Sequence, residues 1–196
     1  MSNFRVRSLL APLAVVLVAC GGTTPPPSDP GAAAAAAAPG GSALLTPAGS
    51  AGSKKAERRK SAAWAPCHQS YKLDPSADLA TSADQMAKGC ADTTRMHLID
   101  SFKGNQAASN APQSFHFKAQ ANHCYRAYAA AAATIQDLDL LMKDSTGAVA
   151  GEDSTDDPTP VVLEDGAVCF SSDDDATLVV SIGAGSGAYA TEVWGD

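Results

Sequence analysis

Apolar and polar residues follow three successive patterns along the chain. The first is an apolar run from Leu9 to Val18, broken once by Pro12 and preceded by Arg5 and Arg7. It is well short of the ~20 apolar residues that a membrane-spanning helix needs. The second pattern is helical: Leu79, Ala83, Met86 and Ala87 fall on one face. Asp74-Pro75-Ser76 supplies a proline and capping oxygens for the helix start, and Gly89 supplies a stop. The third pattern, from Arg95 onward, has period two. Phe115 and Phe117 alternate with His116 and Lys118, and Leu138, Leu140 and Met142 alternate with Asp137, Asp139 and Lys143. Cys124-Tyr-Arg-Ala-Tyr128 lies between these two runs. Val161-Val162-Leu163 and Val168-Cys169-Phe170 flank Glu164-Asp165-Gly166, a hairpin-turn signal. Leu178, Val180 and Ile182 lead through the glycine-rich stretch 183–187, read as a turn, into Tyr189, Thr191 and Val193. Short strands at regular spacing predict a mostly β protein, an antiparallel jelly-roll-like sandwich with a small helical lead-in.

Between the first two patterns there is almost nothing to bury. Residues 21–62 are dominated by Pro, Gly, Ser and Ala and end in a basic cluster of Lys54, Lys55, Arg58, Arg59 and Lys60. Such composition predicts a disordered tether. A flexible chain of that length spans about 35 Å, at ~5–6 Å × √n. The predicted organisation is a leader at 1–19, a tether at 20–62, a helical and disulfide-bonded lead-in at 63–112, and a β-sandwich at 113–196. The basic cluster reads either as a solvated linker end, as a contact for anionic lipid or phosphate, or as a contact for the acidic half of the same chain.

Charge narrows the function classes. The chain carries 21 Asp and Glu against 14 Lys and Arg, a net of −7. Residues 137–196 hold 14 carboxylates against the single base Lys143. That field repels nucleic-acid phosphates, so nucleic acid is excluded as a partner.

Leu17-Val18-Ala19-Cys20, behind a charged and then apolar leader, resembles the lipobox of bacterial lipoproteins. The resemblance implies cleavage before Cys20, a diacylglycerol on its thiol and a palmitate-bearing membrane anchor. Gly21, where an Asp tends to retain such proteins at the inner membrane, implies the outer membrane. With Cys20 lipidated, Cys67, Cys90, Cys124 and Cys169 remain, an even number in an exported chain with three pairings open. Cys67 and Cys90 bracket one helix, and Cys124 and Cys169 sit in two strand-like runs, so Cys67–Cys90 and Cys124–Cys169 are the expected bridges.

A second resemblance rests on Asp137-Leu-Asp139-Leu, Asp144-Ser-Thr-Gly147, Gly151-Glu-Asp153 and the glycine stretch before Tyr189. Together these are similar to the bacterial prepeptidase C-terminal domain over residues 113–195. That family is a small jelly-roll-like β-sandwich attached to secreted proteins. It implies a binding or accessory module rather than a catalyst. Cys124 and Cys169 depart from its usual pattern.

Candidate chemistry is sparse. His68, His97, His116 and His123 show no zinc or haem spacing. Ala184-Gly-Ser186-Gly-Ala188 lacks the GxSxG pattern and sits between strands rather than before a helix. Asp137 and Asp139 share a strand face and form the one acid–base pair on offer, for which turn-stabilising or solvated roles compete. Asp153, Asp156 and Asp157, with Glu152, form the weak calcium candidate, and Asp173 to Asp175 crowd a second loop. No cofactor is expected. The sequence therefore predicts a lipid-anchored, non-enzymatic envelope protein displaying a binding or scaffolding module for an unidentified protein or glycan. The rival reading is a secreted hydrolase or hydrolase accessory using carboxylates, with calcium as a stabiliser.

Overall fold

The computed structural model describes residues 52–62, 64, 74 and 76–196, with backbone only at 92 and 93. Cys20 and Cys67 lie outside the described residues.

One strand organises everything else. β8 (Asp174–Gly195) is 22 residues long and belongs to two sheets. Its first half pairs with β3 (Gln113–Ala119) and β5 (Ile135–Lys143), and β5 pairs with β6 (Val149–Glu152). This gives a first sheet in the order β3-β8-β5-β6. Its second half pairs with β2 (His97–Ala107) and β4 (Cys124–Ala131). β4 then pairs with β7 (Gly166–Phe170), and β7 with β1 (Ala56–Lys60), giving a second sheet β2-β8-β4-β7-β1. All these pairings are antiparallel. Strands that change sheet at a bend are one way a sandwich makes its corners.

The core follows from alternation. Leu138, Leu140 and Met142 of β5 and Leu178, Val180 and Ile182 of β8 point inward. They meet Tyr125, Ala127, Ala129 and Ala131 of β4 and Val168 and Phe170 of β7. Tyr125 sits edge-on to Phe170 with centroids 5.8 Å apart. Its hydroxyl accepts the Gln120 N–H at 2.7 Å.

The other face of β4 is covered by α1 (Leu79–Thr94). Ala83, Met86, Ala87 and Cys90 of the helix bury against Cys124, Tyr128, Ala130, Ala167, Cys169 and Trp194. With both faces covered, β4 reads Cys-Tyr-Arg-Ala-Tyr-Ala-Ala-Ala, and its small residues let the helix approach closely. Asp78 caps the helix, accepting the N–H groups of Ala80 and Thr81 at 3.1 Å each. The helix runs through Gly89, the expected stop, and ends where Arg95 turns left-handed (φ 60°). The reason is packing: its buried face reaches Cys90, which is fully buried, and that contact offsets the ~1 kcal/mol cost of a helical glycine.

Three further expectations give way. The glycine-rich stretch 183–187 is not a hairpin turn but the bend inside β8. Residues 56–60 of the expected tether form β1, and the expected helical lead-in contains β2, so the sandwich extends well ahead of residue 113. Glu164-Asp165-Gly166 makes a tight turn, with Gly166 N–H donating to Leu163 O at 3.0 Å, but Val161 forms only an isolated bridge to Tyr128.

Candidate functional site

The densest chemistry lies along β5. Asp137 is buried, and Asp139, next on the same strand, is half-buried and accepts a hydrogen bond from Ser181 Oγ at 3.0 Å. The segment after β6 runs beside β5: Asp153 N–H donates to Leu140 O at 3.0 Å, and Leu138 N–H to Asp157 O at 3.1 Å. This brings Asp153 and Asp156 within electrostatic range of Asp137 and Asp139. Burial pushes the Asp139 carboxyl up to about 6, helped by the charge of Asp137 and, more weakly, Asp156, against the Ser181 hydrogen bond. Burial also pushes Asp153 up to about 7, helped by the charges of Asp139 and Asp137. The Leu140 and Thr155 N–H groups oppose that rise, at 2.5 and 3.2 Å from the carboxylate. Raised carboxyl groups side by side are the pattern of an acid–base pair, and they also mark structural carboxylates held in a tight seam.

The hydrogen bonds favour the structural role. Asp153 uses both carboxylate oxygens on backbone N–H groups, tying its loop to β5. Asp157 Oδ1 accepts the Thr159 N–H at 2.7 Å and its hydroxyl at 3.2 Å. Among the described residues, no group of three or more His, Cys, Asp or Glu side chains converges as a metal site. Asp173, in the second acidic loop, accepts the Ala121 N–H at 2.8 Å, and Asp175 pairs with Lys118 at 2.9 Å.

The other candidates are dispersed. His97 opens β2 and is exposed, His116 lies on β3 beside Thr177, and His123 contacts the Asp196 backbone oxygen at 2.5 Å. His68 lies outside the described residues. Ser186 is an exposed strand residue opposite Ala107. Cys124 and Cys169 face each other on adjacent strands and are joined, so the two runs lie side by side rather than across the sandwich. Cys90 is disulfide-bonded as well, while its expected partner Cys67 lies outside the described residues.

The basic cluster contacts the acidic half of its own domain. Lys55 Nζ reaches Asp174 at 2.8 Å, Arg58 reaches Glu152 at 3.2 Å and Lys60 reaches Asp165 at 2.7 Å. Arg59 pairs with Glu57 on its own strand at 2.5 Å. Exposed pairs of this kind contribute little each, and backbone pairing to β7 does most of the holding. Asp174 differs because its side chain is almost fully buried. Burial pushes its carboxyl up, but hydrogen bonds from Lys55 Nζ and from Ser145 Oγ and N–H, with the Lys55 charge, outweigh burial and hold it at about 2. Four of the five bases of the cluster thus have acidic partners within the chain. A charged edge strand also blunts edge-to-edge association.

Residue patterns missed Arg126. It is fully buried beneath the turn at 163–164. Its Nη2 donates to Leu163 O at 3.2 Å and Glu164 O at 3.0 Å, and its guanidinium lies 5.3 Å from the Tyr128 ring centre. The one available signal was its register: residues 124, 126, 128 and 130 share the face that α1 covers.

Fold and site together define a disulfide-stapled antiparallel β-sandwich whose two sheets share one strand. No protein-family model and no curated protein matches the chain. Among solved structures, it is similar to the pre-peptidase C-terminal domain of a collagenase from Bacillus anthracis. That alignment has 12% identity and a TM-score of 0.40, and it covers 49% of this chain and 89% of the other.

Proposed function

We propose that this chain is a lipid-anchored envelope protein that displays a non-catalytic β-sandwich module for binding or scaffolding. The observation that carries this reading is Leu17-Val18-Ala19-Cys20 behind the Arg5/Arg7 leader, followed by a Pro/Ala/Gly/Ser-rich stretch that ends where the module begins. The buried Cys124–Cys169 bridge supports it, because such bonds persist in oxidising compartments outside the cytosol. Gly21 favours the outer membrane as the site of anchoring. The non-catalytic part rests on the seam along β5, whose Asp153 and Asp157 carboxylates are spent on backbone groups. The partner is a protein or glycan of the envelope, met by a module whose later sequence is strongly acidic. A second reading, a carboxylate-dependent hydrolase, is favoured by one observation: Asp139 and Asp153 are both raised towards neutrality in the same seam.

Cys20→Ser tests the anchor. A hydroxyl does not replace the thiol as acyl acceptor, so the variant is expected to leave the detergent-soluble membrane fraction or to remain uncleaved. Normal partitioning of the variant at its normal mass contradicts the anchor.

A further inference from the structure

A cleft of about 390 Å³ opens where α1 begins, beside the corner from β4 into β5. Leu79 and Ser82 line it from the helix, Ala131, Ala132 and Pro158 from the sandwich, and Asp74 from the chain ahead of the helix. The alanines offer only methyl groups, and their backbone is used within the fold. Ala131 N–H donates to Pro158 O at 3.0 Å and Ala132 N–H to Ala188 O at 2.9 Å. That side of the cleft is therefore apolar and preformed, as small-molecule sites are.

Ser82 is the exception in this lining. It is 2% exposed. Its N–H donates to Asp78 O at 2.9 Å, as the helix requires. Among the described residues, none hydrogen-bonds its hydroxyl. Thr94, on the same helix, spends its hydroxyl on Cys90 O at 3.0 Å. A buried hydroxyl without a partner costs free energy that a guest with a polar group recovers.

Charge narrows the guest. No Lys, Arg or His among the described residues lines the cleft. Asp78 is spent on the cap, where Ala80 and Thr81 engage both of its oxygens. Asp74 is not: the Ser76 hydroxyl and N–H both reach its Oδ1, at 2.6 and 2.9 Å, which leaves Oδ2 for another donor. Those same bonds, the hydroxyl first, hold the Asp74 carboxyl below the usual carboxylate range. Apolar walls with one sign of charge concentrate the opposite charge.

We infer that this cleft binds a small alkylammonium compound, with its aliphatic body on Leu79, Ala131 and Ala132 and its ammonium donating to the Ser82 hydroxyl in the field of Asp74. The ammonium supplies the donor that the Ser82 oxygen lacks, and the carboxylate offsets the desolvation of the positive charge. The site belongs to the module and stands whether or not Cys20 is lipidated.

Titration of the full mature protein in detergent tests this at pH 7, with alanine and leucine methyl signals read by NMR. The probes are n-butylammonium, 1-butanol and butyrate, which share an aliphatic chain and differ in charge. n-Butylammonium is expected to shift the methyls of Leu79, Ala131 and Ala132 saturably, with a Kd of about 1–10 mM, in range for a ligand of about five non-hydrogen atoms. 1-Butanol is expected to bind about threefold more weakly, and butyrate not to saturate. Ser82→Ala suits a helix and is expected to weaken n-butylammonium about tenfold. Asp74→Asn is expected to erase the preference for n-butylammonium over 1-butanol. Equal binding of all three probes reduces the site to an unselective apolar cleft and overturns the inference. Native affinity in Ser82→Ala, or no saturable shift at these methyls, overturns it too.

Discussion

Gly185→Val is expected to lower the melting temperature by about 10 °C or more, corresponding to about 3–4 kcal/mol for a module of this size. Gly185 lies where β8 leaves one sheet for the other. Its φ is +98°, a region that side-chain-bearing residues rarely adopt. A Cβ there would collide with the Thr134 carbonyl oxygen and stand 2.9 Å from Ile135 Cα, both backbone atoms that cannot swing away. Gly185 O also accepts the Ala108 N–H at 3.1 Å, tying the bend to the end of β2. Strain and collision therefore add. Gly89 is the control: it lies in α1 with nothing near its missing side chain, so Gly89→Ala is expected to stabilise by about 0.5–1 kcal/mol. Were 183–187 an open hairpin loop, Gly185→Val would shift the melt by only a degree or two. Thermal melts of the three proteins separate these outcomes.

Stability is expected to fall as pH rises from 5 to 8, by about 2 kcal/mol after allowance for partial exposure. The cause is the seam along β5. Asp139 and Asp153 titrate near 6 and 7 in the folded protein against 3.8 unfolded. Between those values the folded state holds protons that the unfolded state has released, so each rise in pH favours unfolding. Glu192, raised mainly by its burial, acts in the same direction. Asp174 works oppositely and lower down. Its folded value near 2 stabilises the domain above about pH 4, and that contribution is lost as pH falls towards 2. The maximum should lie near pH 4 to 5. Urea unfolding at pH 5 and pH 8 measures the difference, and Asp153→Asn should remove most of it, at the cost of one of the two backbone hydrogen bonds, since an amide has a single acceptor oxygen. A stability that climbs between pH 5 and pH 8 would contradict the seam.

The strands with a clean apolar alternation were legible from the sequence. β3 and β5 stand where Phe115/Phe117 and Leu138/Leu140/Met142 place them. β1 was not legible, because Ala-Glu-Arg-Arg-Lys has no apolar face. It pairs through its backbone with β7, and its Arg58 and Lys60 find Glu152 and Asp165, far along the chain, which no local window contains. The continuity of β8 was hidden for a different reason: five residues rich in glycine look like a turn, yet Gly185 and Gly187 bend the strand without ending its ladders to β5 and β2. The carboxylates of the site were visible as a crowd in the sequence. Their division was not, since it depends on which donor each one meets: Asp153 faces the Leu140 and Thr155 N–H groups, Asp157 the Thr159 N–H, and Asp139 the Ser181 hydroxyl.

Intact mass of the protein purified from membranes, before and after reduction, tests the central reading most directly. The predicted mass is that of residues 20–196 plus a diacylglycerol-bearing N-terminus, with a small increase on reduction as the disulfides open. A chain that starts elsewhere than Cys20, or that carries no lipid, would contradict the lipid-anchored module.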